Sequence, residues 1–159
     1  MSTQVSRVNL FGQEQEVSTT DDYYTPPWVF ETMGLQFDLD VSAPPGGIEW
    51  IPAKRYLTIK DDGLLFPWEG RVWMNPPYSR PGPWVDKFLD HGQGVALPPM
   101  NKSKWWMKLW SDTRTLIVPT PTNFKFIRNN DISPIPFQTA LWAIGEEEHD
   151  AIRRVGKAR

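Results

Sequence analysis

Arg71-Val72-Trp73-Met74-Asn75-Pro76-Pro77-Tyr78 is the stretch on which the fold turns. Its first half is short and largely apolar, and reads as a buried strand. Its second half, followed by Ser79, Pro81, Gly82 and Pro83, reads as a loop. A loop at the carboxyl end of a strand in an open α/β sheet is where such folds usually bind their ligands. Outward from this point, Leu35 to Val41 alternates like a strand and runs into Ser42-Ala43-Pro44-Pro45-Gly46-Gly47. Gly94 to Leu97 and Thr115 to Val118 are further strands. Helices are predicted from Trp28 to Met33, closed by Gly34, from Pro83 to Asp90, stopped by Gly92, and from Lys102 to Trp110. Thr25, ahead of Pro26-Pro27, reads as the first helix's N-cap. Residues 48–70 read as irregular. Phe124 to Ile127 and Thr139 to Ile144 are expected to form a terminal antiparallel β pair. The pattern predicts a three-layer α/β domain with a mixed sheet over residues 21–145. Residues 1–20 read as an arm, mobile or docking as a strand, and 146–159 as a charged tail that frays or adds a short helix.

The residue types of Asn75-Pro76-Pro77-Tyr78 fit one chemical task. An exocyclic amine on a planar base is a poor nucleophile, because its lone pair is delocalised into the ring. Two acceptors aimed at its hydrogens, the Asn75 side-chain carbonyl and the Pro76 backbone carbonyl, favour the tetrahedral nitrogen that attacks. They act as preorganised dipoles where positive charge develops. Pro76 and Pro77 restrict the backbone and hold Asn75 extended. Tyr78 offers an aromatic face for a planar base. The plain alternative is a proline-rich turn ending a strand.

Composition narrows the classes. At 159 residues the chain suits one domain with a real core. It has no cysteine, which excludes disulfides, thiolate zinc sites and cysteine nucleophiles. His91 and His149 are too far apart in sequence to suggest a histidine metal site. No apolar run is long enough to span a membrane, and the start lacks a signal peptide's apolar core, so the expected location is the cytoplasm. Lysine plus arginine, 17, against aspartate plus glutamate, 19, gives a net charge of −2. That balance is unusual for a nucleic-acid partner, which normally meets a basic footprint. Local basic pairs do exist at Lys102 and Lys104 and at Lys125 and Arg128.

Three further motifs precede Asn75: Asp22-Tyr23-Tyr24-Thr25-Pro26, Phe37-Asp38-Leu39-Asp40-Val41-Ser42-Ala43-Pro44 and Asp62-Gly63-Leu64. In this order, with Trp73-Met74-Asn75-Pro76-Pro77-Tyr78, they resemble the phage-type DNA N6-adenine methyltransferases, the small Dam-like family. The match is specific over residues 21–78 and looser beyond, at Val95 to Pro98, Trp105 and Phe124 to Phe126. The resemblance implies a trimmed Rossmann-like fold that takes S-adenosylmethionine and methylates adenine N6 in DNA in the cytoplasm of an infected host cell. It implies that Tyr24, Thr25 and Pro26 line the cofactor pocket. It also implies that the loop carrying Asp40, Ser42 and Ala43 holds the methionine end. Asp62, with Gly63 and Leu64, is implied to meet the cofactor's adenine amine. Asn75, Pro76, Pro77 and Tyr78 are implied to be catalytic.

Some positions stay open to two readings. Asp40 either meets a cation or caps the following loop, and Asp61-Asp62-Gly63 is either a binding turn or a plain one. Phe124 and Phe126, beside Lys125 and Arg128, either stack on a flipped base or are core; Lys102 either meets substrate or edges a packed helix. The loop Ala43-Pro44-Pro45-Gly46-Gly47 departs from the family's glycine-rich pattern. The acid for the cofactor's ribose is not evident, with Glu49 and Asp61 as candidates. With no room for a separate DNA-reading domain, specificity falls to loops or to a second subunit in a homodimer. Two other functions share the motif: methylation of a protein glutamine amide, and a binding protein that keeps the fold without catalysis.

Overall fold

A computed structural model of the chain describes residues 5–8, 14–17, 23–58, 61–101, 103–128, 131–133 and 138–158. In chain order the strands are β1 (Val5–Val8), β2 (Glu14–Val17), β3 (Phe37–Asp40), β4 (Ala53–Tyr56), β5 (Val72–Met74), β6 (Gly94–Ala96), β7 (Thr115–Pro119), β8 (Phe126–Arg128), β9 (Asp131–Ser133) and β10 (Ala140–Ile144). The helices are α1 (Pro27–Met33), α2 (Gly82–His91), α3 (Lys104–Ser111) and α4 (Glu146–Val155). Six strands form the main sheet in the order β4-β3-β5-β6-β10-β7. β4, β3, β5 and β6 run parallel, and β10 lies antiparallel between β6 and β7.

The strand period of two sorts side chains between two cores. Trp73, Val95, Leu141 and Ala143 face one side with Phe30, Phe37 and Ile152. Val72, Met74, Ala96 and Trp142 face the other with Trp84, Phe88 and Leu109. The first core is covered by α1 and α4, the second by α2 and α3, which makes the expected three layers. Trp73 is the hub of the first core, with its ring centroid 4.7 Å from Phe30 and 5.8 Å from Phe37.

Three expectations are corrected. The antiparallel partner of β10 is β7, with Trp142 opposite Ile117, and not the segment at Phe124 to Ile127. Phe126 to Arg128 instead pairs with Asp131 to Ser133 in a separate two-stranded sheet. Residues 48–70 contain the strand β4, whose Lys54, Arg55 and Tyr56 are exposed. An edge strand with a polar outer face shows no apolar alternation, which hides it in the sequence. Pro26, not Thr25, is the N-cap of α1, and it makes no side-chain cap bond. Of the two readings of the charged stretch after Gly145, the helix is the one that forms, because Ala151, Ile152 and Val155 fall on one buried face. Its acids in the first turn and arginines in the last also suit the helix dipole. At the amino-terminal end, β1 and β2 pair as an antiparallel hairpin.

Candidate active site

The chain goes from β3 to β4 on one side and returns to β5 on the other, so strand order reverses between β3 and β5. In open parallel sheets the crevice outside the carboxyl ends at such a point is where ligands bind. Asp40 ends β3, Asn75 follows β5, and Leu97 follows β6. The sheet thus brings Asp40 and Asn75 to neighbouring positions on one edge.

Asn75 is held from one side only. Its Nδ2 donates to the backbone carbonyl of Tyr23 at 3.0 Å. Its Oδ1 is shielded from solvent and accepts no hydrogen bond among the described residues. Because a carbonyl can only accept, the Tyr23 contact fixes which end of the amide is which. Tyr23 is itself anchored: Arg128 Nη1 donates to its hydroxyl at 3.0 Å, and the guanidinium carbon stands 4.8 Å above the ring. Tyr24 and Ile127 exchange backbone hydrogen bonds of 2.9 Å, pinning this segment to β8. Arg128 therefore supports Tyr23, and through it Asn75.

Tyr78 donates its hydroxyl to the carbonyl of Leu97 at 2.8 Å, tying the loop after β5 to the end of β6. Burial raises the phenol well above its usual range, so it stays a neutral donor. Its ring lies 6.0 Å from Phe126, edge to face. Phe124 and Phe126 are buried, 4.8 Å apart, and pack into the first core. The reading in which they offer faces to a base is corrected by that burial: both aromatics are here core, and Phe126 braces Tyr23 and Tyr78. Lys102 lies outside the described residues.

Asp40 is 3% exposed, and no cation pairs with it among the described residues. Burial raises its carboxyl to about 7, opposed by one backbone N–H, that of Ser42 at 3.3 Å. Beside it lies a cavity of about 210 Å³ lined by Asp40, Gly46, Gly47, Glu49, Ile51 and Tyr56, among others. Gly47 has φ 74°, and a Cβ there would stand 2.9 Å from the Tyr56 ring, so glycine is required despite the prolines before it. Ala43 donates its N–H to the Leu57 carbonyl, which secures the loop. Trp50 Nε1 donates to the Thr25 carbonyl at 2.8 Å, linking the Thr25-Pro26 segment to the same loop. The Thr25 hydroxyl is buried without a partner among the described residues.

Asp62 closes a tight turn at φ 52°, its Oδ1 accepting from Leu64 N–H at 3.2 Å. Gly63 presses on the end of β3: a Cβ would stand 2.3 Å from the Val41 carbonyl. Lys87 Nζ donates to the carbonyls of Gly63 and Leu64 and fixes the turn. The geometry is that of a true turn, packed beside the end of β3. Of the two ribose candidates, Glu49 lines the cavity, whereas Asp61 Oδ2 accepts from the Thr58 N–H at 2.8 Å. Sequence reasoning missed Tyr23 and Leu97 as supports, because backbone carbonyls leave no mark in residue types.

Among the described residues the arrangement provides a carbonyl without a donor, a buried carboxyl without a cation and a cleft at one sheet edge. A family model described as DNA N-6-adenine-methyltransferase (Dam) matches residues 12–140. The chain is 30% identical over 123 residues to a DNA N-6-adenine-methyltransferase of Haemophilus phage HP1 (strain HP1c1), covering 70% of this chain and 69% of the phage protein. No solved structure matches. With a match of that length, the chain belongs to the Dam family of DNA N-6-adenine-methyltransferases.

Proposed function

We propose that this chain moves a methyl group from S-adenosylmethionine to the exocyclic N6 of adenine in DNA, with Asn75 as the residue that readies the amine. Family membership supplies the reaction class. The parallel strands, the reversal between β3 and β5 and the inserted antiparallel β10 support a trimmed Rossmann-like frame. The observation that carries the site is the unpartnered Asn75 Oδ1. Leaving a buried carbonyl unsatisfied costs a fold about 1–3 kcal/mol, so an acceptor left open in this way is poised for a ligand donor.

The residues present suit the cofactor. Asp40 offers a buried carboxylate to its cationic methionine end, as the Asp40-Ser42-Ala43 loop is expected to do. Glu49, which lines the cavity beside Asp40, is the acid we assign to the ribose hydroxyls, and the second oxygen of Asp62 the acceptor for an adenine amine. Tyr24, Thr25 and Pro26 approach from the Trp50 side. When bound, S-adenosylmethionine supplies a methyl group already activated by its sulfonium. Asn75 then accepts one amine hydrogen and stabilises the positive charge that grows on N6. Tyr23 keeps the Asn75 amide from rotating, and Pro76 and Pro77 keep the backbone from yielding. Tyr78, fixed by Leu97, bounds the space a flipped adenine would enter. None of these roles needs a metal.

The reading in which a protein glutamine is methylated loses its footing with the family match. The phage relative supports a protein that works in the cytoplasm of an infected cell. The test is transfer of labelled methyl to unmethylated DNA followed by digestion to nucleosides. Label in N6-methyladenine, reduced about 100- to 1000-fold by Asn75→Ala with cofactor binding kept, is the expected result. Equal activity in the variant would remove Asn75 from the mechanism.

A further inference from the structure

α3 is an unusual helix for a protein of net charge −2. Its sequence, Lys104-Trp105-Trp106-Met107-Lys108-Leu109-Trp110-Ser111, carries two lysines and no acid. Only Leu109 is fully buried, while Met107 and Trp110 are each 52% exposed. The Trp106 and Trp110 rings stack 5.5 Å apart at 11°, leaving the outer ring open to solvent. Beside them Met100, Asn101, Ser103, Trp106 and Met107 line an almost wholly apolar cavity of about 320 Å³. The Trp106 indole N–H is buried without an acceptor among the described residues.

This face adjoins the active site. Leu97, which receives the Tyr78 hydroxyl, stands three residues before Met100, a reach of ~10 Å at full extension. The loop leaving Tyr78 runs into α2, whose first residue packs beside α3: a Cβ on Gly82 would lie 3.7 Å from the Trp105 ring. That loop carries the exposed Arg80. Lys104 opens the helix, where the dipole disfavours a cation, and among the described residues neither Lys104 nor Arg80 has an ion-pair partner. Lys108 is already bonded to Asp86 at 2.7 Å.

We propose that the outer face of α3, with Arg80 beside it, is the surface that holds the DNA strand next to the extruded adenine. Trp110, Met107 and Trp106 form the platform on which an unstacked base or base step rests. Lys104 and Arg80 meet the phosphates. This rests on the reading of the chain as a DNA methyltransferase, and names the surface through which it would hold its DNA. Aromatic faces interleaved with cations are the chemistry that holds unpaired nucleotides. A second copy of the chain is the weaker occupant: in a two-fold contact the helix, which carries no acid of its own, would bring Lys104 and its symmetry mate onto a face that offers them no carboxylate from α3.

The test uses the full chain and a fluorescein-labelled, unmethylated duplex of mixed sequence, with binding read by anisotropy over a salt series. Trp110→Ala combined with Met107→Ala is expected to weaken binding at least about tenfold. Lys104→Glu is expected to weaken it and to lower the salt slope by about one. A thermal shift with S-adenosylmethionine checks that each variant is folded, and Lys104→Glu, at an exposed position, keeps the test alive if the double variant does not fold. Wild-type affinity in folded variants overturns the proposal. So does a wild-type dimer in sedimentation that the variants dissolve, because the face would then be a self-contact. Wild-type protein that binds DNA through this face but labels no adenine would overturn the methyltransferase reading and leave the surface standing.

Discussion

Two carboxylates in this molecule are almost equally buried, and they live differently. Glu148, 2% exposed, sits at the amino edge of the sheet in the first turn of α4. Arg71 Nε donates to it at 2.6 Å, Gln93 Nε2 reaches it at 3.4 Å, and Glu147 shares the same guanidinium. Burial works against the Arg71 charge, yet the bonds to Glu148 and Glu147 hold it above its usual range. Asp40, 3% exposed, sits at the opposite edge with one backbone N–H and no cation among the described residues. A fold that pairs one buried acid so fully and leaves the other unpaired separates a brace from a binding position.

The largest expected effect is on the brace. Glu148→Ala strands a partly buried guanidinium and should cost about 3–5 kcal/mol in urea unfolding, with Glu147 tempering the loss. A loss below about 1 kcal/mol would mean that the pair is ornament and the contrast empty. Asp40→Asn should do the reverse in cofactor-free protein, raising stability at pH 8 by roughly 1–4 kcal/mol. The sign follows from the raised carboxyl. Between about pH 4 and 7 the native state binds more protons than the unfolded chain, so wild-type stability falls as pH rises through that window and levels off above it. The variant should lack that decline and lose cofactor affinity. An unchanged pH profile would break the comparison. Tyr78→Phe leaves the Leu97 carbonyl short of a donor and should cost about 1–2 kcal/mol in the same melts. Thr25→Val is expected to change stability by less than about 1 kcal/mol, since the hydroxyl has no partner among the described residues. A much larger loss would show that the hydroxyl already serves the fold.

What could be read from the chain alone followed where the physics is local. The strand Val72–Met74, the helix ending at Gly92 and the loop at Asn75 announce themselves through apolar runs, a left-handed glycine and prolines. Asp40 and Asn75 lie at strand ends and Asp62 beside one, so a motif that follows a strand signal carries its position with it. Long-range choices were not legible. Nothing local says that Ala140 to Ile144 will pair with Thr115 to Pro119 and not with Phe126 to Arg128, since both partners have strand character. The exposed edge strand at Ala53 to Tyr56 has no pattern to read. The orphan state of Asn75 Oδ1 depends on a carbonyl 52 residues earlier in the sequence.

The most direct measurement is proton release when S-adenosylmethionine binds, by calorimetry at pH 6.5 in buffers of different ionisation enthalpy. If Asp40 awaits a cation, binding should ionise it and expel a substantial fraction of a proton from the wild-type protein, because burial raises its carboxyl to about 7. Asp40→Asn should expel none and bind more weakly. Equal proton release from both proteins, or none from either with tight binding, would show that Asp40 does not face the cofactor.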